Sequence, residues 1–210
     1  MSDPLPTELA RSAVEPAPPA RIEHGWEVSG RRAADGGATA LRLTDCSPLT
    51  KTLLRADPGG AVEDAVAVPT GTACRQADGL LTACMAPGEW LALGLDEPAA
   101  WPPNIPDRGL VTVVDVTHGL TLVSLTGAAA DALLSKLCAV DLYDTVTPNG
   151  SAFRSLVAGV TAGVIRDDIA NQTRYFLFSE RSFGQHLFDA LLDAGAEFGI
   201  DVDGFRAGES

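Results

Sequence analysis

Val111-Thr-Val-Val-Asp-Val-Thr-His-Gly-Leu-Thr-Leu-Val-Ser-Leu-Thr-Gly127 is a β-rich run that ends in small residues fit to start a helix. Its β-branched side chains suit a pleated surface. A helical pattern follows over 128–140, then β-branched and aromatic runs near 151–158, 161–166 and 173–179, then an amphipathic helix over 182–198. The order strand, helix, three strands, helix predicts an α+β unit of ferredoxin-like kind over 110–200.

Upstream, short alternating runs at 22–28, 39–44, 71–76, 80–86 and 89–95 read as strands. They are separated by turns at Arg31–Gly37, Pro58-Gly-Gly60, Asp78-Gly79 and Pro87-Gly88, where glycine accepts positive φ. Leu41-Arg-Leu-Thr44 is echoed by Leu122-Val-Ser-Leu-Thr126, and Gly88-Glu-Trp-Leu-Ala-Leu93 by Thr173-Arg-Tyr-Phe-Leu-Phe178, each about 80 residues on. The chain therefore divides into an arm (1–20), an N-terminal α+β half (21–95), a Pro-rich linker (96–109), a C-terminal α+β half (110–200) and a tail (201–210). The arm, with Pro4, Pro6, Pro16, Pro18 and Pro19, is expected to be disordered, because it has too little apolar surface to offset its ordering entropy.

A net charge of −13 repels nucleic acid backbones and anionic membranes, so neither is an expected partner. Cys46, Cys74, Cys84 and Cys138 have no metal-ligand spacing and fit reduced thiols in a cytoplasmic protein. No signal-peptide pattern opens the sequence, and no apolar run reaches the length of a membrane span.

In the first helix of the C-terminal half, Ala132, Leu133, Leu137, Val140 and the stem of Lys136 share a stripe. In the second, Ser182 and Gln185 have capping-box spacing, and Phe183, Leu187, Ala190, Leu191, Ala194 and Phe198 form the core face. Phe188 and Leu192 fall outside that face. They imply either a wide buried stripe or a second surface that contacts another subunit. On the subunit reading, Phe188→Asp spares the isolated fold and blocks assembly.

Chemistry-bearing residues are sparse. Asp115 and His118, three apart at a strand end, have the spacing of a proton-transfer pair, and equally of a turn that satisfies its own backbone donors. Arg166-Asp167-Asp168 fits the polar rim of a ligand site or a solvated hairpin tip. His24 and His186 lack ligand partners nearby, Ser151, Ser155 and Ser182 lack a nucleophile elbow, and no phosphate loop or dinucleotide fingerprint is present. These patterns assign no catalytic, cofactor or metal residue.

Several segments in order resemble the gamma subunit of heterotetrameric sarcosine oxidase. They are Pro87-Gly-Glu-Trp-Leu-Ala-Leu93, Asp115-Val-Thr-His-Gly119, Leu125-Thr-Gly127, Leu137-Cys-Ala-Val-Asp-Leu142 and Ser151-Ala-Phe-Arg-Ser-Leu-Val-Ala-Gly159, followed by Tyr175-Phe-Leu-Phe178, Arg181-Ser-Phe183 and Glu197-Phe-Gly199. The resemblance implies two α+β units packed together, similar to the folate-binding domains of glycine-cleavage T-protein. It implies a complex that oxidatively demethylates sarcosine to glycine with oxygen and passes the one-carbon unit to tetrahydrofolate. FAD, FMN, NAD and zinc are then expected in other subunits and none on this chain. Its partners are the alpha, beta and delta chains, alpha most directly. A stand-alone folate-binding or aminomethyltransferase-like protein is the alternative.

Overall fold

The computed structural model describes residues 9–33, 41–77, 79–94 and 109–206. The loop at 35–37, most of the Pro-rich stretch at 96–109, the first eight residues and 207–210 lie outside the described residues.

Two sheets carry the fold. In the first, strands run in the order β11 (Ala152–Val157), β12 (Val160–Arg166), β13 (Arg174–Glu180), β10 (Leu120–Thr126), β4 (Arg42–Asp45) and β14 (Asp201–Asp203). In the second the order is β6 (Thr72–Arg75), β7 (Leu81–Ala86), β8 (Glu89–Gly94), β5 (Thr50–Ala56) and β9 (Val111–Asp115). A small sheet of β1 (Ala10–Arg11), β3 (Trp26–Ser29) and β2 (Ala20–Glu23) lies beside them.

Alternation along the strands sets three apolar layers. Leu43, Val123, Leu125, Tyr175 and Leu177 face helices α2 (Ala130–Leu137) and α3 (Gly184–Gly195). Leu122, Ile165, Phe176 and Phe178 face Leu81, Ala83, Leu91 and Leu93 of the other sheet. Beyond that sheet, Leu54, Trp90 and Ala92 pack on Val62 of the short helix α1 (Ala61–Val66) and on Val68. The Trp90 indole N–H donates to the Val68 carbonyl at 3.0 Å, satisfying its one polar atom. The architecture is α+β, in layers helix, sheet, sheet, helix.

The expected division into halves does not hold as a division of the sheets. β4, from the first half, pairs with β10 and β14, while β9, from the second, pairs with β5. Residues 111–126 are thus two strands in different sheets. The expected tail supplies β14, and the run Thr50–Ala56, to which no strand was assigned, is an inner strand.

Residues 9–20 differ from the expected disordered arm. β1 pairs in parallel with β3, Val14 is buried against the helical layer, and Ser29 Oγ donates to the Ala17 carbonyl at 2.8 Å. Gln185 serves this segment instead of a capping box: its Oε1 accepts from Glu15 N–H at 2.7 Å, and α3 has no side-chain cap. The same packing corrects the reading of Phe188 as a subunit contact. Phe188 is only 6% exposed and belongs to the core formed with Val14 and Val202, and Leu192 packs partly buried against that core. A wide stripe is buried because the N-terminal segment crosses α3. Phe183, expected in the core face, is 44% exposed, since it sits in a 3-10 turn before α3. In α2 the buried side chains are Ala130, Leu133 and Leu134, with Ala132 facing solvent.

Phe188→Asp therefore places a carboxylate in an apolar core and is expected to lower the stability of the isolated chain by at least about 3 kcal/mol. Urea unfolding of the full chain measures it; an unchanged midpoint would return Phe188 to the surface.

Candidate functional site

The chain crosses between the two large sheets at 45–50 and at 115–120. Asp115 and His118 lie at the second crossing. Asp115 Oδ1 accepts from Thr117 N–H at 2.8 Å, and Thr117 Oγ1 accepts from Lys51 N–H at 2.9 Å. A hydrogen bond from the Thr117 side chain leads the influences that hold the Asp115 carboxyl below its usual range, against desolvation and with the backbone N–H bond in support. The His118 ring is stacked on Trp26, with centroids 4.8 Å apart and planes at 11°. Asp115 thus orders the turn backbone, and His118 lies flat on an indole.

Lys51 is fully buried on the face of β5 that meets the other sheet, opposite Leu93. Its Nζ donates to the carbonyls of Ser47 and Leu49, both at 2.8 Å. Desolvation lowers its pKa from 10.5 to about 8, opposed by the charge of Asp45. Burial likewise raises the Asp45 carboxyl, against hydrogen bonds from Ser47. Because Lys51 holds its proton less firmly folded than unfolded, the unfolded chain binds more protons between those two values. Stability then rises with pH from about 8 towards 10.5. The stability of the wild type relative to Lys51→Met is expected to increase across that window, as read by denaturant unfolding at several pH values. A flat difference would place the ammonium in solvent.

Arg166-Asp167-Asp168 forms neither a solvated tip nor a simple rim. Arg166 is buried, with Nε and Nη2 each 3.1 Å from the Asp168 carboxylate, and Nη1 2.6 Å from Asp144 and 2.7 Å from the Thr147 carbonyl. Desolvation opposes its charge, but the two carboxylates outweigh it and hold the guanidinium more firmly charged. Asp167 bridges two arginines, Arg75 of β6 at 2.7 Å and Arg174 of β13, tying one sheet to the other. Arg174 also lies over the Phe176 ring, 4.8 Å from its centroid. Asp167→Asn removes the shared counter-charge and is expected to cost about 3 kcal/mol, measured by thermal or urea unfolding.

The same arginine opens onto a cavity of about 370 Å³ on the side of the six-stranded sheet away from its helices. Its floor is Arg42 and Thr44 of β4, Ser124 and Thr126 of β10, and Arg174 and Phe176 of β13. Ile169 and Gln172 of the β12–β13 connection wall one side, and Asp203 and Arg206 the other. Sequence reading missed this site. Arg42 and Thr44 are part of the alternating run at 39–44 that reads only as a strand, and their convergence with Arg174 depends on β4 and β13 both pairing with β10. At the cavity base, Cys46 is buried, and desolvation pushes its thiol up to about 12, so it stays neutral. Among the described residues, no group of three or more His, Cys, Asp or Glu is placed to hold a metal ion. No helix among them is long and apolar enough to cross a membrane.

With two sheets flanked by helices and a polar cleft at one end, the chain can be set against known proteins. Residues 58–210 match the GCVT N-terminal domain, and the chain belongs to that family. Among curated relatives, it is 26% identical over 174 residues to sarcosine oxidase subunit gamma of Corynebacterium sp. (strain P-1), covering 77% of this chain and 84% of the relative. A chain of the heterotetrameric sarcosine oxidase from Corynebacterium sp. U-96, solved in complex with pyrrole 2-carboxylate, superposes with a TM-score of 0.65 at 23% identity, covering 78% of this chain and 88% of that one. The glycine cleavage system aminomethyltransferase T from Bartonella henselae superposes with a TM-score of 0.61 at 12% identity, covering 88% of this chain and 55% of that one. The resemblance carried by the motifs at 87–199 and these comparisons point to the same relatives.

Proposed function

We propose that this chain is the gamma-type subunit of a heterotetrameric sarcosine-oxidase-type flavoenzyme and that its role there is assembly. The observation that carries the reading is the similarity to sarcosine oxidase subunit gamma across 84% of that subunit's length. The complex would oxidise sarcosine to glycine with oxygen and transfer the one-carbon unit to tetrahydrofolate, as an oxidoreductase acting on a CH–NH donor. Its FAD, FMN, NAD and zinc would reside in other chains. The partners would be alpha, beta and delta subunits, with alpha the direct neighbour, in the cytoplasm. The functional part of this chain would be its outer surface. Leu110, Val113 and Val114, on and beside edge strand β9, are apolar and exposed and offer such a contact.

A stand-alone folate-binding or aminomethyltransferase-like protein is less well supported, because the likeness to aminomethyltransferase T, at 12% identity, speaks to fold alone.

Affinity capture of the tagged chain at native expression, followed by an absorbance spectrum and subunit masses, tests the proposal. A yellow complex with larger chains, turning over sarcosine, is expected. A colourless lone chain that binds tetrahydrofolate would favour the alternative.

A further inference from the structure

Among the described residues, the strands that end the two large sheets meet further chain, with one exception. β6 is bridged at Thr72 to Ser151, and Ala73 N–H donates to the Gly150 carbonyl at 2.7 Å. Val157 of β11 is bridged to Cys138, just after α2. Beside β14, Gly204 N–H donates to the Arg31 carbonyl at 2.9 Å and Ala33 N–H to Asp203 Oδ1 at 3.2 Å. β9 pairs with β5, and no described strand lies on its far side.

The register fixes which backbone groups of β9 are left over. β5 gives its even-numbered residues to β8, through bonds such as Ala56 N–H to the Gly88 carbonyl at 3.0 Å. It gives its odd-numbered residues to β9, in step with the bond from Val116 N–H to the Lys51 carbonyl at 2.8 Å. Thr112 and Val114, opposite Arg55 and Leu53, therefore bond inward, and the N–H and C=O groups of Val111, Val113 and Asp115 point away from the sheet. Apolar side chains flank them on both faces. Val113 shares the α1 face with Val111, which packs on the layer of Leu54 and Val62, yet Val113 is 46% exposed. Val114, on the opposite face, is 44% exposed, and Leu110 before the strand is exposed too. Folds normally blunt such an edge with lysine, proline or a bulge, and β9 has none of these.

The chemistry of the edge selects what covers it. An extended strand is the element that meets backbone donors and acceptors at this spacing. Carboxylates stand at both ends: Asp115 closes β9, and the Asp57 carboxylate lies beside Gly109 just before it. A second copy adding antiparallel would turn Asp115 of each chain toward the Asp57 end of the other, and would oppose two net charges of −13. A foreign strand with β-branched residues between lysines or arginines fits better on both counts.

We propose that β9 is an acceptor strand, completed in the assembled enzyme by an extended segment of a partner subunit that carries β-branched residues between basic ones. The proposal rests on the assembly reading above and adds how the contact is made: main-chain bonds to Val111, Val113 and Asp115, with Val113 and Val114 covered on either face.

Hydrogen exchange resolved to single amides by mass spectrometry, on the lone full chain and on the complex captured with its native partners, tests it. The Val111, Val113 and Asp115 amides are expected to exchange freely in the lone chain and to slow at least about tenfold in the complex, while those of Thr112 and Val114 are slow in both. Val113→Pro removes an N–H that the lone chain leaves unbonded. Its urea midpoint is expected to stay near that of the wild type, while recovery of partner chains falls at least about tenfold. Should the proline variant fail to fold, Val113→Lys carries the same readout, since lysine is common on exposed edges. A chain that captures no partner overturns the assembly reading and this proposal with it. A complex in which the β9 amides stay fast, or which the folded variants enter as well as the wild type does, overturns the proposal alone. So does protection of these amides in the lone chain, where its own residues or a second copy would already hold the edge.

Discussion

The fold turns on one buried ammonium group. Two chain segments cross between the large sheets side by side, and each exposes backbone groups that cannot join either ladder. Lys51 Nζ takes the carbonyls of Ser47 and Leu49, its own N–H is bound by Thr117, and its carbonyl accepts from Val116 N–H at 2.8 Å. Ser47 Oγ accepts from Leu122 N–H at 3.2 Å, and Cys46 N–H donates to the Leu122 carbonyl at 2.8 Å. Removing a charge from water costs several kcal/mol, so a lysine here is tolerated because crossing carbonyls need donors that an apolar side chain lacks. The shared layer of Leu81, Leu91, Leu93, Leu122 and Phe176 lies between sheets whose mutual position this junction sets.

At the periphery, charge does what apolar contact does at the centre. Glu89 of β8 pairs with Arg55 of its own sheet at 2.7 Å and with Arg154 of β11 in the other. Asp167 joins β6 to β13 in the same way.

Much of this was legible in the sequence. The succession from β10 through α3 follows from periodicity, since alternation and the 3.6-residue stripe survive in those runs. β5 was hidden because Lys51 and Arg55 interrupt its apolar pattern, and a buried lysine is not anticipated from spacing. β14 escaped notice because two of its three residues are aspartates. Phe188 and Leu192 were marked correctly as residues outside the expected core face, but a wheel drawn on one helix cannot show that residues 14–17 return to cover it. Asp115 and His118 were found as a pair by spacing; the indole that takes His118 comes from β3, far away in sequence. The cavity was the least visible feature, because its floor is shared among β4, β10 and β13 and none of them is unusual alone.

β14 lies in parallel beside β4, with Asp201 opposite Arg42 and Val202 opposite Leu43. On a ribosome, β4 therefore emerges early and has to wait for nearly the whole chain before its outer neighbour exists. Until then its backbone amides and carbonyls on that side form an open edge, able to recruit a strand from another nascent chain. Parallel pairing between distant segments closes slowly, which lengthens the exposure. The acidic residues of β14 and the arginine of β4 give this late pairing a charge complement, so the last strand is drawn to its own partner in preference to an apolar stranger.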